Sequence, residues 1–329
     1  MRLILDAMGG DNAPLEIIKG ASEAQDEIDA DIVLVGDSEK ISSCAAENGI
    51  DLTPFSIVYA KETITMEDDP IRVLKTKRGA SMYVGLSMLS ESQGDAFVSA
   101  GNTGALFTGA TFIAGRIDGI SRAAIGTVLP FNEPCLLLDS GANVSVSDVH
   151  LEEFAVMGSA YMRKMYGIKK PNVGLLNIGT EEKKGTQLQI AANKRLSECN
   201  SIRYMGNVEG NTLPFCACNV IVCDGFTGNI YLKAIEGMGK VILGSLKKVY
   251  KQNVLTKLSA LAVKDGFTKL KQSFDPSEHG GAPILGISKP VIKAHGSSDA
   301  RAIKNALIAA LRYAESNVIS DISDTVNSG

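Results

Sequence analysis

The feature that most limits what this chain can fold into is a series of short apolar runs, each too brief to be a helix. They fall at residues 3–5, 32–35, 56–59, 96–98, 125–129, 136–138, 173–177 and 220–223. Most are continuously apolar rather than alternating, as strands covered on both faces are. Between them apolar residues return at helical spacing. Leu15, Ile18, Ala21, Ala24 and Ile28 share one face after Asn12-Ala13-Pro14, and Leu151, Phe154, Val156, Tyr161 and Met165 share another, stopped by Gly167. Further helices are expected over 188–196, 230–250 and 299–315, the last with Ser297 or Ser298 as its cap. Two late strands are expected at 283–287 and 290–294, around Ser288-Lys289. Strand–helix alternation of this kind predicts an α/β fold of three layers, α/β/α, with a mostly parallel sheet.

A chain of 329 residues is long enough for one large core or two smaller ones. No repeat or low-complexity linker divides it. One α/β domain over 1–329 is expected, with a helical excursion at about 247–274. The balance of 33 basic and 37 acidic residues gives a net charge of −4, which argues against a nucleic-acid partner. No apolar stretch reaches about 18 residues, so nothing is expected to span a bilayer. Residues 1–6 are too short an apolar run to direct export, so a cytoplasmic protein with reduced thiols is expected. Cys216, Cys218 and Cys223 lack a second cluster, and the chain has 3 histidines. They read as small core residues, and no metal is expected.

In parallel sheets, ligands bind beyond the carboxyl ends of strands. Here the least generic residues follow the strands: Asp6-Ala7-Met8-Gly9-Gly10-Asp11, Ser99-Ala100-Gly101-Asn102-Thr103-Gly104, Asp139-Ser140-Gly141-Ala142-Asn143, the 177–185 segment, Asp224-Gly225-Phe226-Thr227-Gly228-Asn229, and Lys293-Ala294-His295-Gly296-Ser297-Ser298. Small polar residues and glycines before helices expose backbone N–H groups that suit an anion. Several such loops at one sheet edge predict an anion site. The phosphate-loop pattern G-x-x-x-x-G-K-[ST], the dinucleotide pattern G-x-G-x-x-G after the first strand and the serine elbow G-x-S-x-G are all absent.

Over these blocks other than 139–143, together with 79–85, 206–210 and 280–283, the chain resembles the bacterial phosphate acyltransferase family, acyl-carrier-protein:phosphate enzymes of phospholipid synthesis. It departs at Asn12, where histidine is common, and at His279, where tyrosine is common. The resemblance implies transfer of a fatty acyl group from acyl carrier protein to inorganic phosphate, giving acyl phosphate, with no cofactor. It implies a fold similar to isocitrate dehydrogenase and phosphotransacetylase. It also implies a homodimer peripheral to the inner face of the membrane that passes product to a membrane glycerol-3-phosphate acyltransferase. Phosphate is already a nucleophile at pH 7, so the protein has to place it and stabilise an oxyanion. On that basis Lys184, Asn229, His295 and Asn177 are the catalytic candidates. Gly101, Asn102, Thr103, Gly104 and Ser297 are candidates for holding phosphate. Asp6, Asp139 and Asp224 are expected to fix loops by accepting N–H bonds, since carboxylates repel phosphate.

The excursion places Val254, Leu255, Leu258, Leu261 and Ala262, then Phe267, Leu270 and Phe274, at helical spacing among seven lysines and one acid, Asp265. Such a basic amphipathic hairpin suits a membrane surface, with Leu255, Leu258, Leu261 and Phe267 as contacts; a dimer interface or lid would use the same pattern. Arg72, Lys75, Lys77 and Arg78 form a second positive cluster suited to an acidic carrier. Competing readings are a coenzyme A-dependent phosphotransacetylase, a metal- and NAD-dependent decarboxylating dehydrogenase, and a non-catalytic carrier-binding regulator at the membrane.

Overall fold

The computed structural model describes residues 1–131, 133–252, 256, 259, 263–267 and 280–327, with the main chain alone at 72–74. The elements run β1 (Arg2–Asp6), α1 (Leu15–Gln25), β2 (Asp31–Gly36), α2 (Ser38–Asn48), β3 (Ser56–Tyr59), α3 (Pro70–Thr76), α4 (Ser81–Ser90), β4 (Ala96–Ser99) and α5 (Thr103–Gly109), which continues as a π-helical turn over Ala110–Ala114. Then come β5 (Ala124–Leu129), β6 (Cys135–Leu138), α6 (Asp148–Tyr166), β7 (Asn172–Asn177), α7 (Gln187–Glu198), β8 (Arg203–Glu209), β9 (Val220–Val222) and α8 (Gly225–Tyr250). The chain closes with β10 (Ala282–Leu285), β11 (Val291–Lys293), α9 (Ala300–Glu315) and α10 (Val318–Asn327).

The strands form one 11-stranded sheet in the order β3-β2-β1-β4-β11-β10-β5-β6-β9-β7-β8. Because successive side chains on a strand face opposite ways, each central strand feeds two cores. Leu3 and Leu5 join a core with Ile17, Phe154, Ile303 and Tyr313, on the side of α1, α6 and α9. Ile4, Val33 and Val35 join the opposite core with Met82, Leu86 and Leu106, on the side of α4 and α5. Cys135, Leu137 and Ile221 form a third cluster against Leu232 and Ile235 of α8. The result is the three-layer α/β/α arrangement.

Three details differ from the sequence expectation. Most pairs are parallel, but β10 is antiparallel to both β11 and β5, and β5 is antiparallel to β6. The strands from β6 to β8 therefore run opposite to β1–β4, and the loops do not share the single edge that a one-way sheet would give. Secondly, β8 had no apolar run to announce it: its first four residues alternate exposed and half-buried at the sheet's edge, and only Asn207 and Val208 are buried. Thirdly, the cap of α9 is neither Ser297 nor Ser298 but Asp299, whose carboxylate accepts from Ala302 N at 2.9 Å. Among the described residues no helix is long and apolar enough to cross a membrane.

Candidate active site

The loops after β1, β4 and β11 are stitched into one wall. Asp6 is buried and accepts from Ser99 Oγ at 2.7 Å and from Met8 N at 3.2 Å. Burial raises its pKa above the usual carboxylate value, against the lowering by Ser81 and Ser99. Gly101 N donates to Ser99 Oγ at 3.0 Å. Gly9 lets the two loops touch, since a Cβ there would lie 2.5 Å from Asp6 Oδ2 and 2.8 Å from Gly101 N. Asp11 N donates to Gly296 O at 2.8 Å, and Asn12 Nδ2 reaches Ser297 O and Ser298 O. Asn102, buried at the start of α5, gives its amide N–H groups to Thr65, Met66 and Asp68 carbonyls and accepts from Ala105 N. Both ends of that side chain are engaged in holding the 65–68 loop. Gly104 packs under Pro70, while Thr103 is exposed.

The facing wall comes from the other half of the sheet. Asp139 is fully buried; it accepts from the backbone N–H groups of Ile125, Gly141, Ala142 and Asn143, and from Asn143 Nδ2 at 2.7 Å. Asp224 caps α8 through Thr227 N and Thr227 Oγ1. The first turn of α8 then lies against the Asp139 loop. A Cβ on Gly225 would meet Asn143 N and O at 2.8 Å, and one on Gly228 would sit 2.0 Å from Asp139 O. Only glycine allows that approach, and it brings Asn229 alongside Gly141.

Between the walls lies a cavity of about 400 Å³. Thr103, Ser140, Gly141, Asn229, Lys233, Glu236, Lys293, His295 and Ser298 are among its lining residues. The structure thus brings Thr103, Asn229 and His295 of the sequence-predicted candidates to one space. Lys184 and Asn177 do not line it. Asn177 folds the next loop by donating to Lys184 O and accepting from Ile178 N, and Lys184, half exposed, faces Glu181 at 3.9 Å. Ser297 gives its hydroxyl and its N–H to the imidazole of His295, at 2.9 and 3.3 Å from Nδ1. The backbone N–H fixes Nδ1 as an acceptor, so the neutral ring carries its proton on Nε2. His295 is exposed at the cavity rim; the desolvation it undergoes and the charges of Lys293 and Lys233 hold its pKa below the ordinary value.

Sequence reasoning gave no role to several lining residues, among them Lys233, Glu236 and Lys293. Lys293, the last of β11, is 7% exposed. Its Nζ donates to Ala100 O at 3.2 Å and to Ala294 O. Burial pushes the ammonium down to about 8, with Asp6 and Asp11 pulling the other way. A lysine at the end of a Val-Ile strand, ahead of Ala-His-Gly, was the available signal.

Of the expected membrane contacts, Leu255, Leu258 and Leu261 lie outside the described residues, as does His279. Phe267 is half-buried and meets Tyr250 edge-on, with ring centroids 6.5 Å apart. Among the described residues no group of three or more His, Cys, Asp or Glu is disposed to hold a metal ion.

Residues 1–321 match the model of a family described as fatty acid synthesis protein. Phosphate acyltransferase of Acetivibrio thermocellus is 45% identical over 324 residues, covering 98% of this chain and 95% of that protein. The enzyme of the same name from Caldanaerobacter subterraneus subsp. tengcongensis is 44% identical, covering 99% and 97%. A phosphotransacetylase from Streptococcus pyogenes shares the fold, with a TM-score of 0.67 at 17% identity over 96% of this chain and 94% of that one. On the strength of a match along almost its entire length, the chain belongs to the fatty acid synthesis protein family, alongside the phosphate acyltransferases.

Proposed function

We propose that the cavity seats inorganic phosphate against the thioester carbonyl of an acylated acyl carrier protein, and that phosphate attacks it directly. The chain is an acyltransferase by family, with phosphate as acceptor; the carrier as donor and acyl phosphate as product are our reading. The observation that carries it is the cavity's lining, where hydroxyl, amide and imidazole donors converge and the one lining carboxylate, Glu236, is paired with Lys233 at 2.8 Å. That lining suits an oxyanion.

In the step, a phosphate oxygen forms a bond to the carbonyl carbon and the C–S bond breaks. The thiolate that leaves has a pKa of about 8.5 and needs little acid help. His295 Nε2–H is our candidate donor to that sulfur, and the Asn229 amide orients the carbonyl. Thr103, which lines the cavity at the start of α5, receives the phosphate. Lys184, on the loop that Asn177 braces, lies outside the cavity lining and is given no part in this step. Holding the reactants in contact contributes roughly 7–11 kcal/mol at most, and losing an oxyanion donor costs about 2.7–4 kcal/mol.

The test is to supply acyl carrier protein thioester with and without phosphate, following free thiol and hydroxamate-trapped acyl phosphate. Phosphate-dependent release of both products is expected. Turnover with coenzyme A thioester alone would replace the carrier reading with a phosphotransacetylase, the activity named for the Streptococcus pyogenes structure of like fold.

Three surfaces belong to the same proposal. Along α8, Ile230, Met238, Val241, Ile242 and Val249 are each more than 40% exposed. We read this face as the homodimer contact, and Val241→Asp should give a monomer in sedimentation. The basic excursion that follows is our candidate for the membrane surface, from which product passes to a glycerol-3-phosphate acyltransferase. Flotation with anionic liposomes should lose its signal in Leu258→Glu. Lys75 and Arg78, exposed near α3, are our candidates for steering the acidic carrier.

A further inference from the structure

Resting on the phosphate-acceptor reading above, we infer that Lys293 is the group that binds the acceptor: its ammonium meets a phosphate oxygen inside the cavity and supplies the positive charge that selects an oxyanion there. Lys293 closes β11, between β4 and β10 in the middle of the sheet. It is nearly inaccessible, yet it lines the cavity. An ammonium has three N–H donors. Two are anchored on Ala100 O and Ala294 O, which fixes the position of the nitrogen. The third has no partner among the described residues, and no described carboxylate forms an ion pair with this lysine.

Burying a lone charge is unfavourable unless something balances it. The charged groups around it do not do so fully. Asp6 is itself desolvated and engaged with Ser99, and the pull of Asp6 and Asp11 together does not outweigh the burial. Across the cavity on α8, Lys233 and Glu236 neutralise each other. His295, two residues on, is neutral near pH 7. A bound phosphate dianion would complete both the donor set and the charge. Three cations compete for this role. Lys184 stands on a loop that does not line the cavity, Lys233 is committed to Glu236, and Lys293 alone of the three is preset in position by two carbonyls.

A role confined to strapping the Ala100 loop to β11 would need the N–H donors and not the charge. The experiment therefore compares full-length Lys293→Met, Lys293→Gln and Lys293→Arg with wild type, each verified by its melting temperature. Calorimetry measures binding of inorganic phosphate alone, and kinetics with carrier thioester measures the KM for each substrate. Loss of a charge-assisted bond should raise phosphate Kd and KM by roughly 10- to 100-fold in Lys293→Met and Lys293→Gln. Thioester KM should stay within about threefold, and Lys293→Arg should recover most of the phosphate affinity. A folded Lys293→Gln with unchanged phosphate Kd overturns the role of Lys293 and leaves the site reading intact. A wild-type protein that neither binds phosphate nor forms acyl phosphate overturns both. If Lys293→Met does not fold, the Lys293→Gln and Lys293→Arg measurements decide alone.

Discussion

At the scale of single residues, the two walls hold buried ionisable side chains of opposite kinds. Asp139 is surrounded by N–H donors and needs no cation. Removing it leaves four backbone N–H groups without this acceptor while the Asn143 amide keeps Ala123 O, so Asp139→Ala should lower unfolding free energy by about 3–5 kcal/mol, measured in urea. Lys293 is the reverse case. Its folded pKa, about 8, lies below the ordinary lysine value of 10.5. The burial penalty is therefore present in full below pH 8 and is relieved as pH rises from 8 towards 10.5. A bound dianion opposes that loss of charge and pulls the pKa up again. At pH 8 phosphate binding should draw protons from solution, read as a buffer-dependent calorimetric enthalpy, and Lys293→Arg should show none. Wild-type protein with no buffer dependence would break this link. His295 and Asn229 were legible in the sequence because they follow strand ends among glycines. Lys293 was not, because a single lysine carries no periodicity to reveal that it is buried.

At the scale of elements, α8 is placed by what its first turn lacks. Gly225 and Gly228 press the helix against the Asp139 loop, and the contact at Gly228 is with main chain that cannot rotate away. Gly228→Ala must shift the helix or the loop. We expect about 1–3 kcal/mol of lost stability and a much larger loss in kcat/KM, because Asn229 moves with the helix. Unchanged activity in a folded Gly228→Ala would show that Asn229 is not a reacting group. Element identity was mostly readable from sequence. Apolar runs such as those of β1, β2, β4, β6 and β9 coincide with strands, since a strand buried on both faces can hardly look otherwise. The edge strand β8 escaped because one of its sides meets water and its apolar content is correspondingly low. The late strands β10 and β11 came out shorter than expected, as Gly286 adopts a positive φ of 87° and ends the first of them.

For the whole molecule, strand direction was the part that sequence could not supply. The antiparallel placement of β5 and β10 depends on which strands meet, and hydrophobic pattern is blind to that. The reversal is also what makes the cavity a meeting of two walls rather than a row of loops along one rim. A ligand that touches both walls is bound by the native state alone. Phosphate at about 100 times its Kd should then add about 2.7 kcal/mol of stability and raise Tm by several degrees. The check is a melting curve in phosphate against chloride at equal ionic strength; identical curves would mean that the ion does not bridge the walls.

The order of the sheet has a bearing on how the polypeptide is made. β4 and β5 are synthesised early, but the strands that fill the space between them, β10 and β11, come after residue 281. While the ribosome is still translating, the nascent chain carries two unfinished sheets, each with a bare hydrogen-bonding margin. Such margins invite pairing with neighbouring chains. Ribosome-held fragments ending before β10 should therefore bind chaperones and be cut readily by protease, and that vulnerability should vanish once β10 and β11 have emerged.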